Sequence, residues 1–303
     1  MSLIKLLQRF PDEESCKQDF KNKREKEGVI CKKCSGTSHY WLQYKNQWQC
    51  KSCSFRTTLK SGTIMKDSKM SIFKWYMAMA FMTDLKKGVS AKELQRQLGH
   101  KRYYSIWCLM HKIRKAMGSR DAKYSLKGEV ELDEGYYTVC TSEKDKIKTK
   151  KGRGSIAVQN VAVLAESTPL EDIETGKKTT KSRYYKMKAL TTHKSEEIQQ
   201  IIANDLDDKC IVFSDKSTSY TNLEEIIEMH CVEISTEQTT KTTLKWVHTA
   251  IGNSKRNFLG VYHQIKGKYL QNYLNEFCYK LNRRYFGYRI FDRATLAVAS
   301  TIR

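Results

Sequence analysis

The sequence predicts an α/β protein in which a mixed-sheet domain follows a cysteine-rich ribbon and a small helical region. Two Cys-x-x-Cys pairs occur within the first 53 residues, apolar stripes at helical spacing run from residue 71 to 117, and β-rich runs alternate with helical segments after Lys127. These changes of pattern place boundaries near residues 67 and 125. We therefore expect a ribbon region (1–67), a helical domain (68–124) and an α/β domain (125–303).

The pattern after Lys127 gives the predicted order of elements in the α/β domain. Strands are expected at 129–132, 156–164 and 184–190, followed by a helix with Thr192 as its cap and an apolar face from Ile198 to Leu206. A buried strand (210–213), a helix (221–229), a strand (230–234) and a long helix (268–283) complete the order. Strands that alternate with helices in this way indicate a sheet of mixed direction.

The composition points to a polyanionic partner. Lys and Arg total 55 against 33 acidic residues, a formal net charge of +22, while 40% apolar content is enough for a buried core. The apolar run from Ile72 to Met82 contains Lys74 and is too short to cross a bilayer. The first ten residues lead directly into acidic PDEES without an apolar signal region. We expect a cytoplasmic protein that binds nucleic acid and not membranes.

Four of the ten cysteines have the spacing of a structural zinc site. CKKC and CKSC are separated by fifteen residues, so Cys31, Cys34, Cys50 and Cys53 could surround one Zn²⁺, and the aromatic segment between them should form a hairpin. Unligated core cysteines and a redox pair are the alternatives, but the doubled spacing and the adjacent lysines favour zinc. The six scattered cysteines are expected to be small buried hydrophobes.

The helical region has the outline of a helix-turn-helix. Ser90 and Glu93 form a capping-box pattern before a short helix that stops at Gly99, and a basic second helix follows. Its candidates for DNA contact are Lys101, Arg102, Lys112 and Arg114. Any compact connection of three helices would show the same pattern, so simple core packing remains the alternative.

Two acidic segments indicate metal chemistry. In GEVELDE, alternation along a strand places Glu129, Glu131 and Asp133 on one face and Glu134 on the other. VFSDKSTSY places Asp215 at the end of a buried strand, where α/β sheets usually present functional groups. Carboxylates from two strands suit hard divalent cations, which phosphodiester chemistry uses to activate the attacking and the leaving oxygen.

The segments LKGEVELDEGYY, VFSDKSTSY and WVHTAIGNSKRNFLGVYHQIKGKYLQNYLNEFCYKLNRR, with the ribbon before them, resemble the ISXO-type insertion-sequence transposases over nearly the whole chain. The resemblance implies an RNase H-like catalytic domain of the DDE class, in which Asn often replaces the third acid. It also implies that Asp133 and Asp215 bind Mg²⁺ or Mn²⁺, that Asn253 is the third member, and that Lys255 is the basic residue after it.

Glu276 competes with Asn253 for the third position. An amide oxygen can coordinate Mg²⁺ but offsets none of its charge, whereas Glu276 lies off the apolar stripe of the last predicted helix, as a residue of a solvated surface would. We prefer Asn253. His248 and His263 lie close by and could orient DNA or a water, although lone histidines are more often structural.

Further basic residues are candidates for phosphate contact. The run KDKIKTKKGRGS (144–155) is expected to be a solvated loop, and it contributes Lys150, Lys151 and Arg153. Arg256 adjoins the third catalytic position. Arg283 and Arg284 are further candidates.

The expected function is a transposase that binds the double-stranded ends of its own element, cleaves them and joins them to target DNA. Because two ends must be held together, we expect a homo-oligomer on DNA. A non-catalytic DNA-binding regulator derived from a transposase is the main alternative. A structure-specific nuclease would use the same metal site without joining strands.

Overall fold

The computed structural model describes residues 3–140, 157–171, 178–191, 195–217, 220, 223–234, 236, 238–239 and 242–301. The chain forms two compact units, Met1–Arg120 with Tyr285–Arg303, and Asp121–Arg284. The predicted boundary near residue 125 lies close to the observed one. No division occurs near residue 67, and the end of the chain belongs to the first unit, so the predicted extent of the α/β domain to residue 303 was wrong.

The first unit holds the ribbon and most of the helices. Its helices are α1 (Leu3–Arg9), α2 (Glu13–Glu27), α3 (Ile72–Asp84), α4 (Ala91–Gln97) and α5 (Tyr103–Asp121), whose last residue begins the second unit. Strands β1 (His39–Leu42), β2 (Gln47–Cys50) and β3 (Arg56–Thr58) form an antiparallel sheet. The predicted hairpin and the three helices between residues 71 and 117 are confirmed. Ser90 caps α4, since its side chain accepts a hydrogen bond from the Glu93 N–H.

The second unit is built on a five-stranded mixed sheet. Its strands are β4 (Glu129–Thr138), β5 (Val158–Glu171), β6 (Lys178–Ala189), β7 (Ile211–Asp215) and β8 (Met229–Glu233), in the spatial order β6-β5-β4-β7-β8. Strands β4, β5 and β6 pair antiparallel, whereas β7 is parallel to both β4 and β8. The helices are α6 (Ser195–Asp205), α7 (Lys245–Val261) and α8 (Gly267–Asn282).

The two faces of this sheet pack against different helices. One apolar cluster combines Val130 and Leu132 of β4 with Ile198 and Ile202 of α6. The other combines the odd-numbered side of β4, through Tyr137, with apolar residues of α7 and α8. Odd-numbered side chains of β4 therefore face α7, and this alternation decides which acidic residues can meet that helix.

Several elements differ from the sequence prediction. The helix expected at 221–229 is a single 3₁₀ turn, Leu223–Glu225, among the described residues, and β8 begins at Met229. Helix α7 was not predicted, whereas α8 was, within one residue at each end. The expected cap Thr192 lies outside the described residues. Within the described part of the chain, no helix combines the length and the apolar character that a membrane span requires.

Helix α9 (Arg289–Ser300) completes the helical core of the first unit by packing on α2 and α3. The Phe291 side chain is fully buried, and its ring lies 5.7 Å from that of Tyr76 and 5.9 Å from that of Phe10. Arg9 donates two hydrogen bonds to the carboxylate of Asp292, at 2.9 and 2.8 Å. The beginning and the end of the chain thus share one core.

We expect Phe291→Ala to destabilise the first unit by about 3–5 kcal/mol, because truncating a buried phenylalanine leaves a cavity. Urea unfolding followed by tryptophan fluorescence would measure this, since the indole of Trp75 in α3 is fully buried in the same unit. Tyr288→Ala, which removes a 60% exposed ring just before α9, is the control and should change stability little. Equal effects of the two variants would contradict this description of the core.

Candidate active site and four-cysteine cluster

Asp133 and Asp215 lie side by side on neighbouring strands. Strands β4 and β7 are parallel, and Leu132 is paired with Ser214, so the two aspartates follow at matching positions. Both belong to the odd-numbered face, which packs against α7. The structure therefore brings together the two acids that the sequence separates by more than eighty residues.

The electrostatics of Asp133 suit a cation site. Burial raises the pKa of this carboxyl to about 6, and the negative charges of Asp215 and Glu134 act in the same direction, while the Glu134 N–H and His248 oppose the shift. The Glu134 N–H donates to Oδ1 of Asp133 at 2.7 Å. Two crowded carboxylates gain most from a shared positive partner, and Mg²⁺ is commonly held by one or two carboxylates with water as the remaining ligands. The residues present thus fit a divalent cation.

His248 of α7 contacts Asp133. Its Nε2 lies 3.5 Å from Oδ2 of Asp133, and its side chain is 35% exposed. From the sequence alone, His248 could orient DNA or a water, but a structural role was expected. Its position became evident only with the packing of α7 along β4.

Asn253 lies on a different side of α7. It follows His248 by five residues, which is about 140° around an α-helix. Asn253 is exposed, and its Oδ1 accepts a hydrogen bond of 2.7 Å from Arg256. Lys255 is seven residues after His248, about 20° away, and its ammonium lies 5.6 Å from the ring centre of Tyr137 on β4. The structure therefore groups Lys255 with His248 and places Asn253 apart from them.

Glu276 is buried, 4% exposed, on α8. Its Oε2 accepts a hydrogen bond of 3.4 Å from the Tyr262 hydroxyl. The expectation that it occupies a solvated helix surface was wrong, because a residue off the main apolar stripe can still be covered by a neighbouring segment. Glu134, on the face of β4 opposite Asp133, accepts from the side chain of Asn160 at 2.9 Å.

The sulfur atoms of Cys31, Cys34, Cys50 and Cys53 form one cluster in the first unit. All four lie within 4.8 Å of one another, and the Cys31–Cys53 and Cys34–Cys50 pairs are each 3.5 Å apart. Tetrahedral zinc with Zn–S bonds of about 2.3 Å requires sulfur separations of about 3.8 Å. Within the described ranges, this is the only group of three or more His, Cys, Asp or Glu side chains close enough to share an ion. The cluster is compatible with a zinc ribbon.

The two Cys-x-x-Cys turns have the same backbone geometry. Ser35 and Ser54, each directly after a pair, have φ of 57° and 58°, and their N–H groups donate to the carbonyls of Cys31 and Cys50. The backbone N–H groups of Cys53 and Ser52 lower the pKa of Cys50 to about 6, which favours the thiolate that a metal needs. The repeated turn is what two equivalent metal-binding knuckles would show.

The other cysteines follow the prediction only in part. Cys16, Cys210 and Cys278 are buried, as expected of small hydrophobes, whereas Cys108, Cys140 and Cys231 are half-buried.

The predicted DNA contacts of the helical region divide into two groups. Lys101 and Arg102 are exposed directly before α5, followed by Tyr103 and Tyr104 with 47% and 71% exposure. Arg114 is only 1% exposed, so its selection as a DNA contact was wrong for this structure. Arg114 was expected to face solvent because it is basic, but it lies on the buried face of α5. The half-buried Lys112 donates to the backbone carbonyl of Lys66 at 3.1 Å.

The other basic candidates are distributed as follows. Arg256 is exposed on α7. Arg283 is 9% exposed and pairs with Asp121 at 2.7 Å, which removes it as a phosphate contact, and Arg284 donates to the carbonyl of Ser182 at 2.8 Å. Lys150, Lys151 and Arg153 lie outside the described residues.

The fold and the site define a mixed α/β protein with paired aspartates on parallel strands and a separate four-cysteine cluster. The family model of the ISXO2-like transposase domain matches residues 125–282, just over half of the chain. The chain therefore belongs to the ISXO2-like transposase family, as its sequence motifs predicted. A search of curated proteins finds no match.

Proposed function

We propose that this protein is an active transposase that cleaves the ends of its own insertion sequence and joins them to target DNA, with a divalent cation held by Asp133 and Asp215. The observation that carries the proposal is the placement of these aspartates at matching positions of β4 and β7, in a chain of a transposase family. The sheet order, with an antiparallel β4–β5–β6 followed by parallel strands, supports an RNase H-like catalytic domain.

The site residues have distinct roles in this proposal. Asp133 and Asp215 hold Mg²⁺ or Mn²⁺, which would polarise a phosphodiester and activate water or a 3′-hydroxyl for in-line attack. Lys255, on the same side of α7 as His248, would pair with DNA phosphate. Lys101, Arg102 and Arg256 are exposed and would contact double-stranded DNA, as Lys150, Lys151 and Arg153 would. The four cysteines would hold a structural Zn²⁺.

Strand joining is the direct test. Purified protein is mixed with DNA from the flanks of its own gene, a target plasmid, and Mg²⁺, Mn²⁺ or EDTA, and products are separated on a sequencing gel. Metal-dependent cut ends and joined products are the expected result, with a complex that contains at least two protein copies. Cutting without joining would indicate a nuclease. Tight binding without cutting under any metal would contradict the proposal in favour of a regulator.

We propose that His248, 3.5 Å from Asp133, rather than Asn253 becomes the third ligand when a cation draws it towards the two aspartates, because the three side chains do not form a preformed cluster. An imidazole suits Mn²⁺ better than Mg²⁺, so joining should be faster with Mn²⁺. His248→Ala should lower the joining rate about 100-fold, as loss of one well-placed group in a catalytic site commonly does. Asn253→Ala, which removes the acceptor for Arg256, should lower the rate less than about tenfold.

The same pair of variants can overturn this assignment. If Asn253→Ala abolishes joining while His248→Ala retains it, the third member is the one that the family resemblance implies. Arg256→Ala, which releases the Asn253 amide and removes one proposed DNA contact, shows how much of an Asn253→Ala effect arises through Arg256.

A further inference from the structure

A second acidic residue of β4, Glu131, caps the start of α7. Its side chain is 4% exposed, and Oε2 accepts hydrogen bonds from the backbone N–H groups of Trp246, at 2.7 Å, and Val247, at 3.0 Å. Leu244, the residue before α7, offers no side-chain cap. The first N–H groups of a helix have no partner within the helix, and a carboxylate is their most favourable acceptor. The cap of α7 thus comes from a strand more than a hundred residues earlier.

This contact is the first of several that fix α7 along β4. Two residues further along β4, Asp133 contacts His248. At Gly135 the two elements pack closely, since a Cβ added there would lie 3.3 Å from Cγ1 of Ile251. The Tyr137 hydroxyl then lies 2.6 Å from Oγ of Ser254. The odd-numbered residues of β4 therefore contact successive turns of α7, in the same order along both elements.

We propose that Glu131 is a positioning residue of the active site: by capping α7 it sets where His248 and Lys255 lie relative to Asp133 and Asp215. His248 directly follows the two capped residues, so a shift of the helix start moves its imidazole directly. The two helix N–H groups that Oε2 of Glu131 accepts give this buried carboxyl a role without a cation. This role rests on the proposed function of the site.

The test compares Glu131→Ala with Glu131→Gln. The amide oxygen of glutamine can still accept the two N–H groups, although neutral hydrogen bonds are roughly half as strong as charge-assisted ones, so we expect a joining rate within about tenfold of wild type. Alanine removes the acceptor, and a misplacement of about 1 Å at a catalytic group can lower the rate about 100-fold. The KM for DNA should not change. Glu129→Ala, on the same face of the same strand, is the matched control.

A second measurement does not depend on activity. Hydrogen–deuterium exchange of residues 244–250 should accelerate at least tenfold in Glu131→Ala and stay near wild type in Glu131→Gln and Glu129→Ala, while exchange in β5 is unchanged in all three. If wild type joins no DNA, the proposed function fails, and exchange alone still decides the capping role. Unchanged exchange in Glu131→Ala would overturn it. Equal loss of joining and of Mn²⁺ binding in Glu131→Gln and Glu131→Ala would show that Glu131 is a ligand instead.

Discussion

Replacement of Asp215 by asparagine is expected to lower DNA joining at least about 1,000-fold while the protein stays folded. A bound cation contributes several kcal/mol of transition-state stabilisation, and each 1.36 kcal/mol corresponds to a tenfold change in rate. The neutral amide keeps the shape of the side chain and removes a charge that raises the pKa of Asp133. The melting temperature in EDTA should therefore be equal to that of wild type or higher.

Asp208→Asn is the matched control, because Asp208 is exposed in the turn just before β7. It should join DNA at the wild-type rate in the same gel assay. Binding of Mn²⁺, followed by calorimetry, should be lost in Asp215→Asn and kept in Asp208→Asn. An Asp215→Asn protein that joins DNA normally would refute the assignment of this aspartate to the metal site.

Replacement of Cys50 by serine is expected to remove bound zinc and to unfold the ribbon. Structural zinc in small domains contributes an apparent folding free energy of about 10–16 kcal/mol, far more than the local core of three short strands could supply. Elemental analysis should find one zinc per wild-type chain and less than one in the variant. The fluorescence of Trp48, which is 2% exposed and donates to Glu25 at 3.0 Å, should shift to longer wavelength. Binding of the element ends should fall with it.

Cys108→Ser changes a half-buried cysteine in α5 of the same unit and should keep both the zinc and the fluorescence. Zinc removal from wild type by a chelator should reproduce the Cys50→Ser spectrum, and added zinc should reverse it. Wild-type protein that folds with four reduced thiols and no metal would disprove the structural role.

Local patterns predicted the strands of the second unit, several helices and the two aspartates because each of these signals lies within a few residues. Alternation along a strand places Asp133 on one face, and a short apolar run before Asp215 marks a strand end. Helix α9 was not predicted, because the chain was expected to close with the helix at 268–283, although Ile290, Phe291 and Ala294 form a short apolar stripe in the sequence. A local pattern does not show which surface an apolar stripe covers. The packing of α9 in the first unit was therefore not predicted.

The errors at individual residues have the same origin. Arg114 and Glu276 have the charge of surface residues, and only tertiary contacts show that both are buried. The contacts of Glu131 and His248 depend on how α7 lies along β4, since each residue is more than a hundred positions from its partner in the sequence. A pattern of single residues contains no information about that register.

The shared core of α9, α2 and α3 also constrains biosynthesis. A ribosome completes α2 and α3 early, yet Phe291 emerges only after the whole second unit has been translated, so the first unit cannot close its core during most of elongation. A nascent chain or a product of premature termination would expose Phe10 and Tyr76, which Phe291 covers in the finished protein. Stable folding of the first unit would then require the residues of α9.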